Sequence, residues 1–590
     1  MTEQTPTPPP PPPSGPPAPP APPAPPAPPV PAPPAPPAAP TTAFPAPPAP
    51  PTTPPPPAPP TGDDGGRRGG SGKKVLVGGL AAAIVLGGGY GAYAVYDRLG
   101  GGGAQPHDVL PASSDFYLRL DLDPSASQKI DLFKLIRKVP DLADEVGITS
   151  DKQDIRKLVF GEILSNTCDD VDYEKDIEPW LGDRIGVGGD IEDEKVLVAV
   201  QTTDEDASRA GIKQLFECSG SDYGIGYSDG YAILAPEQSD VDAAITATEK
   251  SSLGDNEKFV EDFDALGNQG IASGWVDLAA VAKIPDVAEA LGEEIDQLTD
   301  AGSVATALRA DGSAIELAVL SGSVEGDSEP VNLAKLPADT VAALSIAGVG
   351  DQVTEGFDSL VQEFDQEFAG VPPTQDPELM PDADPTTPEE LDPLPADDFG
   401  LGATSAQDFI DKIELETGFR LPEDLATLFG DSLTLAIGAE NLETIPTLSG
   451  PEGFSTLNIA LALTSDEAAA LDLVQRIATV ASDAGIPLVA APTDDGAVLA
   501  TNEDAADAIA DPDGSLGDED AFKSVIPDGD SAFGGFYLDI GTILDKILEA
   551  DPPEEVRDGI ESASALSAFG VSTSTQDGDR TLSRVRLSFR

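Results

Sequence analysis

Ser252-Leu253-Gly254-Asp255 recurs unchanged as Ser515-Leu516-Gly517-Asp518, and what surrounds the two copies decides the fold. Before the first copy stands Asp229-Gly230-Tyr231-Ala232-Ile233-Leu234, and before the second stands Asp495-Gly496-Ala497-Val498-Leu499. After them come Trp275-Val276-Asp277-Leu278 and Tyr537-Leu538-Asp539-Ile540. Further back, Leu110-Pro111-Ala112, leading into Phe116-Tyr117-Leu118, answers to Leu336-Pro337-Ala338-Asp339, leading into Val341-Ala342-Ala343-Leu344. Trp180-Leu181-Gly182-Asp183 answers to Leu428-Phe429-Gly430-Asp431, Val196 to Val200 answers to Leu457 to Leu461, and Asp311-Gly312 answers to Asp577-Gly578. In chain order the offsets are 226, 248, 261, 266, 263, 262 and 266. They rise through two insertions and then level off, as in a diverged tandem copy; chance matches would scatter.

Each copy reads as α+β. Short alternating runs such as Val196-Leu197-Val198-Ala199-Val200 suit strands. The Asp-Gly pairs at 311 and 577 lie between two such runs and signal hairpins, whose turns need a positive φ. Helical spacing appears over Lys129 to Val139, with Ile130, Leu132, Leu135 and Ile136, and over Gly541 to Leu548, with Ile543, Leu544 and Ile547. The expected ectodomain is two tandem homologous lobes, 108–330 and 331–590, each an antiparallel sheet with packed helices. Residues 372–398 form an acidic, proline-rich insert in the second lobe, a composition that does not fold.

The N-terminal part belongs to another class. The first 60 residues hold 34 of the 60 prolines, so residues 1–61 read as a disordered Pro/Ala-rich cytoplasmic tail. Its many P-x-x-P matches are inevitable at this composition, and a solvated spacer is the favoured reading. A basic polar joint, 62–74, carries Arg67, Arg68, Lys73 and Lys74. Val75 to Tyr96 then runs for 22 residues without a charge. At 1.5 Å per residue that reaches about 33 Å, enough to cross a bilayer core. The four basic residues set the N-terminal side in the cytoplasm. The run is longer than the apolar part of a cleaved signal peptide, which favours an uncleaved signal anchor and a single-pass plasma-membrane protein with its ectodomain outside. Gly79, Ala83, Gly87 and Gly91 form a small-residue stripe that would suit a helix dimer face. The plainer reading, that glycine is common in membrane helices, is preferred. Residues 97–107 read as a Gly-rich stalk.

Charge excludes one class of partner. The chain has 105 acidic against 33 basic side chains, a net charge of −72. Four acidic and five basic residues precede Ala104, so the region after it carries 101 acids against 28 bases. Little here could neutralise phosphates, and no nucleic-acid partner is expected. One histidine, His107, and two cysteines rule out a histidine-rich or Cys-ligated zinc site and an iron–sulfur cluster. No cofactor or metal is expected. Asp511-Pro512-Asp513-Gly514 and Asp382-Ala383-Asp384 lack the order of a calcium loop. No nucleophile or phosphate-loop motif is present, so neither catalytic nor cofactor residues are assigned.

Four groups of residues remain. Cys168 and Cys218 are a candidate disulfide in an oxidising envelope, against the alternative of two buried thiols. Asp121 or Asp123, Asp277 and Asp539 follow hydrophobic strands and precede helices. Helix N-capping is favoured over a ligand site for them. Trp180 and Trp275 read as core aromatics, with Phe429 and Phe536 at or beside their counterparts.

The order of parts resembles actinobacterial single-pass membrane proteins whose ectodomain is catalogued as domain of unknown function 3352. The residues that carry the resemblance are Leu110-Pro111-Ala112, Leu120-Asp121-Leu122-Asp123-Pro124-Ser125, Gln128-Lys129-Ile130, Trp180-Leu181-Gly182-Asp183 and the Pro-rich tail before a single span. It covers most of residues 75–590. It implies a Gram-positive, high-GC envelope and transfers no catalytic residue. The leading expectation is a membrane-anchored, non-enzymatic envelope protein with an interaction or structural role, with protein partners met through the Pro-rich tail or the ectodomain. One alternative is a tethered carrier or sensor of an apolar ligand held between the two lobes. A carboxylate-dependent envelope hydrolase is the other.

Overall fold

The computed structural model describes residues 104–139, 171–322, 330–347, 406–447 and 451–590, apart from residues 125, 293–294, 332 and 577–579. It also describes single positions between 154 and 168 and between 349 and 361. The tail, the basic joint with Arg67, Arg68, Lys73 and Lys74, the run 75–96 with Gly79, Ala83, Gly87 and Gly91, the insert 372–398 and the Asp577-Gly578 turn lie outside the described residues. Among the described residues, no helix is long and apolar enough to cross a membrane.

Among the described residues, the alternating runs form one sixteen-stranded sheet with every neighbouring pair antiparallel. The first eight strands are β1 Phe116–Asp121, β2 Leu181–Asp190, β3 Lys195–Thr202, β4 Gly224–Ser228, β5 Tyr231–Ala235, β6 Ala272–Asp277, β7 Ser303–Asp311 and β8 Ala314–Ser321. The second eight are β9 Thr340–Ala347, β10 Ser432–Gly438, β11 Ile459–Thr464, β12 Val489–Thr493, β13 Gly496–Ala500, β14 Ala532–Leu538, β15 Leu566–Gln576 and β16 Arg580–Phe589. Read outward from the middle of the sheet, the first half runs β8-β7-β6-β1-β2-β3-β5-β4 and the second β16-β15-β14-β9-β10-β11-β13-β12. Each strand of the second half is the one eight places on, so the two halves repeat a single strand order.

The halves join through β8 and β16, from Ala314 opposite Ser588 to Ser321 opposite Thr581. Leu320 follows Ala305 and Trp275 across neighbouring strands, and Arg586 follows Gly570 and Tyr537 in the same way. Leu320 is therefore the counterpart of Arg586, and Ala318 of Arg584. Ala318 lies directly opposite Arg584. Each central strand thus pairs with its own counterpart about a local two-fold, the self-complementary arrangement of a symmetric dimer. It also leaves neither strand as an open edge. The halves therefore meet through a hydrogen-bonded strand pair.

Strand register corrects the sequence comparison in two places. Val200 pairs with Ile185, and Leu463 pairs with Leu433, the counterpart of Ile185. Val196–Val200 therefore corresponds to Ile459–Leu463, two residues beyond the sequence match, a slip that keeps every side chain on its face. The second slip is by one residue. Ser228 pairs with Tyr231 and Thr493 with Gly496, so Asp229-Gly230 corresponds to Asp494-Asp495. Asp229 (φ 44°) and Gly230 (φ 81°) both sit in the left-handed region that a tight hairpin turn demands. Gly496 is instead the first residue of a strand, where an added Cβ would lie 2.0 Å from the Leu463 carbonyl oxygen. One Asp-Gly pair answers a turn and the other a close approach.

The repeated Ser-Leu-Gly-Asp blocks do the same job twice. The Leu253 N–H donates to the Leu110 carbonyl and the Leu516 N–H to the Leu336 carbonyl, each at 2.8 Å. This ties each block to its own Leu-Pro lead-in. One face of the sheet carries Tyr117, Tyr231, Trp275 and Tyr537, and we call it the aromatic face. The helices Gln238–Thr248 and Glu257–Leu266 cover it in the first half, and Glu503–Ala510 and Asp520–Val525 in the second. Ala104 to His107, expected in the stalk, are docked on this face. Pro106–Val109 form a 3-10 turn there, and the Tyr231 hydroxyl donates to the Ala104 carbonyl at 2.8 Å. The opposite, leucine-rich face is covered in the first half by Ala126–Lys138, Glu205–Ser219 and the Phe160-to-Ile177 residues packed with them.

Candidate functional site

Cys168 and Cys218 form a disulfide with a Cα–Cα distance of 5.8 Å, tying the segment before β2 to the last turn of Glu205–Ser219. Asp277 and Asp539 cap helices, accepting from the Ala279 N–H at 3.0 Å and the Thr542 N–H at 2.8 Å. Asp121 departs from the capping expectation: its carboxylate accepts from Arg119 Nη2 at 2.8 Å, and Asp123 pairs with Lys129. Trp180 and Trp275 are buried and donate to the Asp176 carbonyl at 2.6 Å and to Asp262 Oδ2 at 2.7 Å. Phe429 and Phe536 are half-buried.

Among the described residues, no three of His, Cys, Asp and Glu are grouped to hold a metal ion. Burial pushes up the carboxyls of Asp115 and Asp121. The two flank β1, roughly 20 Å apart at the strand's rise, too far to work together. Asp424 shows the opposite balance: burial would raise it, but the Arg476 guanidinium, at 2.6 and 2.7 Å, holds it below the usual carboxylate range. A shallow, solvent-open recess lies beside Pro337, Thr340, Ala436, Asn458 and Ile509, with Asp339 as its one carboxylate.

The leucine face of the second half is the unusual surface. Strand register lines up Leu317, Val585, Val571, Phe536, Leu344, Leu435 and Leu461 as one row across seven strands. At about 4.8 Å between strands the row spans roughly 29 Å. Its outer end, at Leu461, packs under Glu467–Asp483. Its middle and inner end are left uncovered by the described residues: Leu344 is 47% exposed, Leu435 36% and Leu317 42%. The counterparts of Leu435 and Leu461 in the first half, Val187 and Val198, are both 3% exposed. The reverse face of the same strands buries small polar groups, Ser345, Thr434, Ser572 and Ser574. The strands are therefore inverted, with hydroxyls inside and leucines out.

Where the halves join, the aromatic face carries a buried charge network. Glu316, 2% exposed, accepts from Arg309 Nη1 at 2.8 Å and Arg586 Nη1 at 2.6 Å. Arg586 also reaches Asp311 at 2.8 Å. Arg584 pairs with Asp528, which accepts from Ser572 and Ser574 at 2.7 and 3.1 Å. Arg580 of the second half donates to the Glu261 carbonyl of the first at 2.7 Å. Fully paired, these charges fix how one half sits on the other.

The family described as protein of unknown function (DUF3352) matches residues 77–379, just over half of the chain. The chain belongs to that family. The match ends before β10, so it is narrower than the resemblance read over most of 75–590. No curated protein and no solved structure matches the chain.

Proposed function

We propose that this member of the family is an extracytoplasmic protein of an actinobacterial cell envelope, anchored by the single span Val75–Tyr96, with a role in interaction and not in catalysis. The observation that carries the interaction reading is the uncovered row centred on Leu344 and Leu435. A contiguous apolar surface on a chain of net charge −72 is expensive to leave in water and marks a place where something else binds. The anchor rests on 22 uncharged residues behind Arg67, Arg68, Lys73 and Lys74. The Cys168–Cys218 disulfide suits an oxidising compartment.

One experiment tests both halves of the proposal. Both native cysteines are in the disulfide, so Leu344→Cys would carry the single free thiol. Intact cells are treated with a membrane-impermeant, thiol-reactive photo-crosslinker. The expected result is labelling from outside followed by a crosslinked adduct on irradiation. Absence of labelling on cells, with labelling after lysis, overturns the topology. Labelling without an adduct overturns the interaction surface.

A further inference from the structure

We propose that the aromatic face of the first half holds a buried binding site for a small oxyanion, a carboxylate or a phosphate, between Arg119 and Arg184. Among the described residues, seven buried side-chain nitrogen or oxygen atoms have no hydrogen-bond partner, and six of them belong to β1, β2, β6 or the segment that leads into β1. They are Nε of Arg119, Nε of Arg184, the hydroxyls of Ser114, Tyr117 and Ser273, and Nδ1 of His107. Register sets Arg119, Arg184 and Ser273 side by side, with Tyr117 and His107 next along β1 and Ser114 at its far end. Arg119 lies opposite Ser273 on β6 and opposite Gly186 on β2, and Arg184 is two residues before Gly186 on the same face. Tyr117 is two residues before Arg119, and its ring meets that of His107 at 5.9 Å. The Ser114 hydroxyl lies 3.8 Å from where Gly188, opposite Tyr117, would carry a Cβ.

Two features identify the ligand as an acceptor with negative charge. A guanidinium can only donate, so two orphaned Nε–H groups require acceptors. The charge is also unbalanced. Among the described residues, Asp121 is the one carboxylate within 4.0 Å of either guanidinium, at 2.8 Å from Arg119 and 4.0 Å from Arg184. One carboxylate thus serves two arginines that are 8% and 9% exposed. A buried charge left without a partner is strongly unfavourable, and an oxyanion supplies both the charge and the acceptors.

The second half provides an internal control. The counterparts of Arg119, Arg184, Ser273 and His107 are Ser345, Ser432, Gly535 and Leu333. There, Ser345 and Thr434 hydrogen-bond each other at 2.6 Å. Leu333 packs so closely on Gly535 that an added Cβ would lie 2.5 Å from its Cδ1. The same place in the same strand order is closed and satisfied, so the orphaned donors belong to the first half and not to the fold.

The test is thermal unfolding of the full chain in detergent, titrated with inorganic phosphate or with acetate, ionic strength being held constant with potassium chloride. The expected result is a saturable rise in Tm with at least one of the two. Phosphate alone identifies a phosphate-type ligand, and acetate alone a carboxylate. Arg184→Met should abolish the rise, Ser273→Ala should move its midpoint severalfold higher, and Ser345→Ala should leave it unchanged. No saturable rise with either anion, or an equal rise in both Arg184→Met and Ser273→Ala, overturns the site. If Arg184→Met does not fold, an unshifted midpoint in Ser273→Ala is enough to overturn it.

Discussion

The two halves of the sheet share one strand order and differ in what lies on each face. The first half covers its leucine-rich face with two helices and a disulfide-tied segment, so Val187 and Val198 are buried. In the second half the described residues leave the same row open at Leu344 and Leu435. On the aromatic face the contrast reverses. The second half is closed by Leu333 and a Ser345–Thr434 pair, while the first half holds unpartnered donors around Arg119 and Arg184. Strand order is thus the common frame, and each half has put its unusual chemistry on a different face. That is the division expected when a scaffold is kept and sites are grafted onto it.

The most severe way to break the comparison is at the joint. Glu316 sits between Arg309 and Arg586, one from each half. Glu316→Ala leaves two buried guanidinium groups facing each other, and removing one partner of a buried charge network costs about 3–5 kcal/mol. We expect denaturant unfolding to split from one transition into two, one per half. A single transition of unchanged midpoint would show that the charge network adds nothing to the hold between the halves.

A smaller effect sharpens the contrast between covered and open rows. Val187 and Leu435 occupy equivalent positions, but one is 3% and the other 36% exposed. Val187→Ala removes methyl groups from a packed core, and fully burying such a side chain is worth about 1.5–3 kcal/mol. Leu435→Ala deletes more atoms and should nonetheless cost less, because much of that surface already faces water. Urea unfolding of the two variants measures the difference. An equal or larger loss for Leu435→Ala would mean that the row is covered in solution.

How much of this was legible follows from what periodicity encodes. Alternation reveals that a strand has two faces, and the tandem matches place most strands correctly. Alternation does not say which face is covered. Ser432-Leu433-Thr434-Leu435-Ala436 reads as a strand with leucines inward, yet Ser432 and Thr434 are buried and Leu435 is not. Strand order was also hidden, since β9 pairs with β14 across nearly 200 residues of chain, and no local pattern records that. The donor cluster left only weak traces. Arg119 and Arg184 are the one basic residue in each of β1 and β2, and each stands within two residues of an aspartate, which makes them read as ordinary ion pairs. The neighbours of Asp121 and Asp123 suit a cap at either, whereas the charge of Asp121 answers the arginine two residues before it.

The smallest effect concerns a single proton. His107 is the chain's one histidine, and Leu333 takes its place in the second half. Burial lowers the His107 pKa below the usual 6.5, Asp108 opposes that shift, and Arg119 reinforces it. The folded protein therefore keeps a neutral imidazole where the unfolded chain would accept a proton. The stability this contributes is complete above pH 6.5 and is lost as pH falls from there through the folded-state pKa. NMR of the lone imidazole, in buffer free of phosphate and acetate, should give a midpoint below 6.5. His107→Leu imports the second half's residue and should flatten only the part of the pH–stability profile just below 6.5, leaving the lower-pH carboxylate losses in place. A midpoint at or above 6.5 would mean that the ring is hydrated or paired with Asp108, and that the first half's aromatic face is less closed than the packing of His107 against Tyr117 and Phe259 requires.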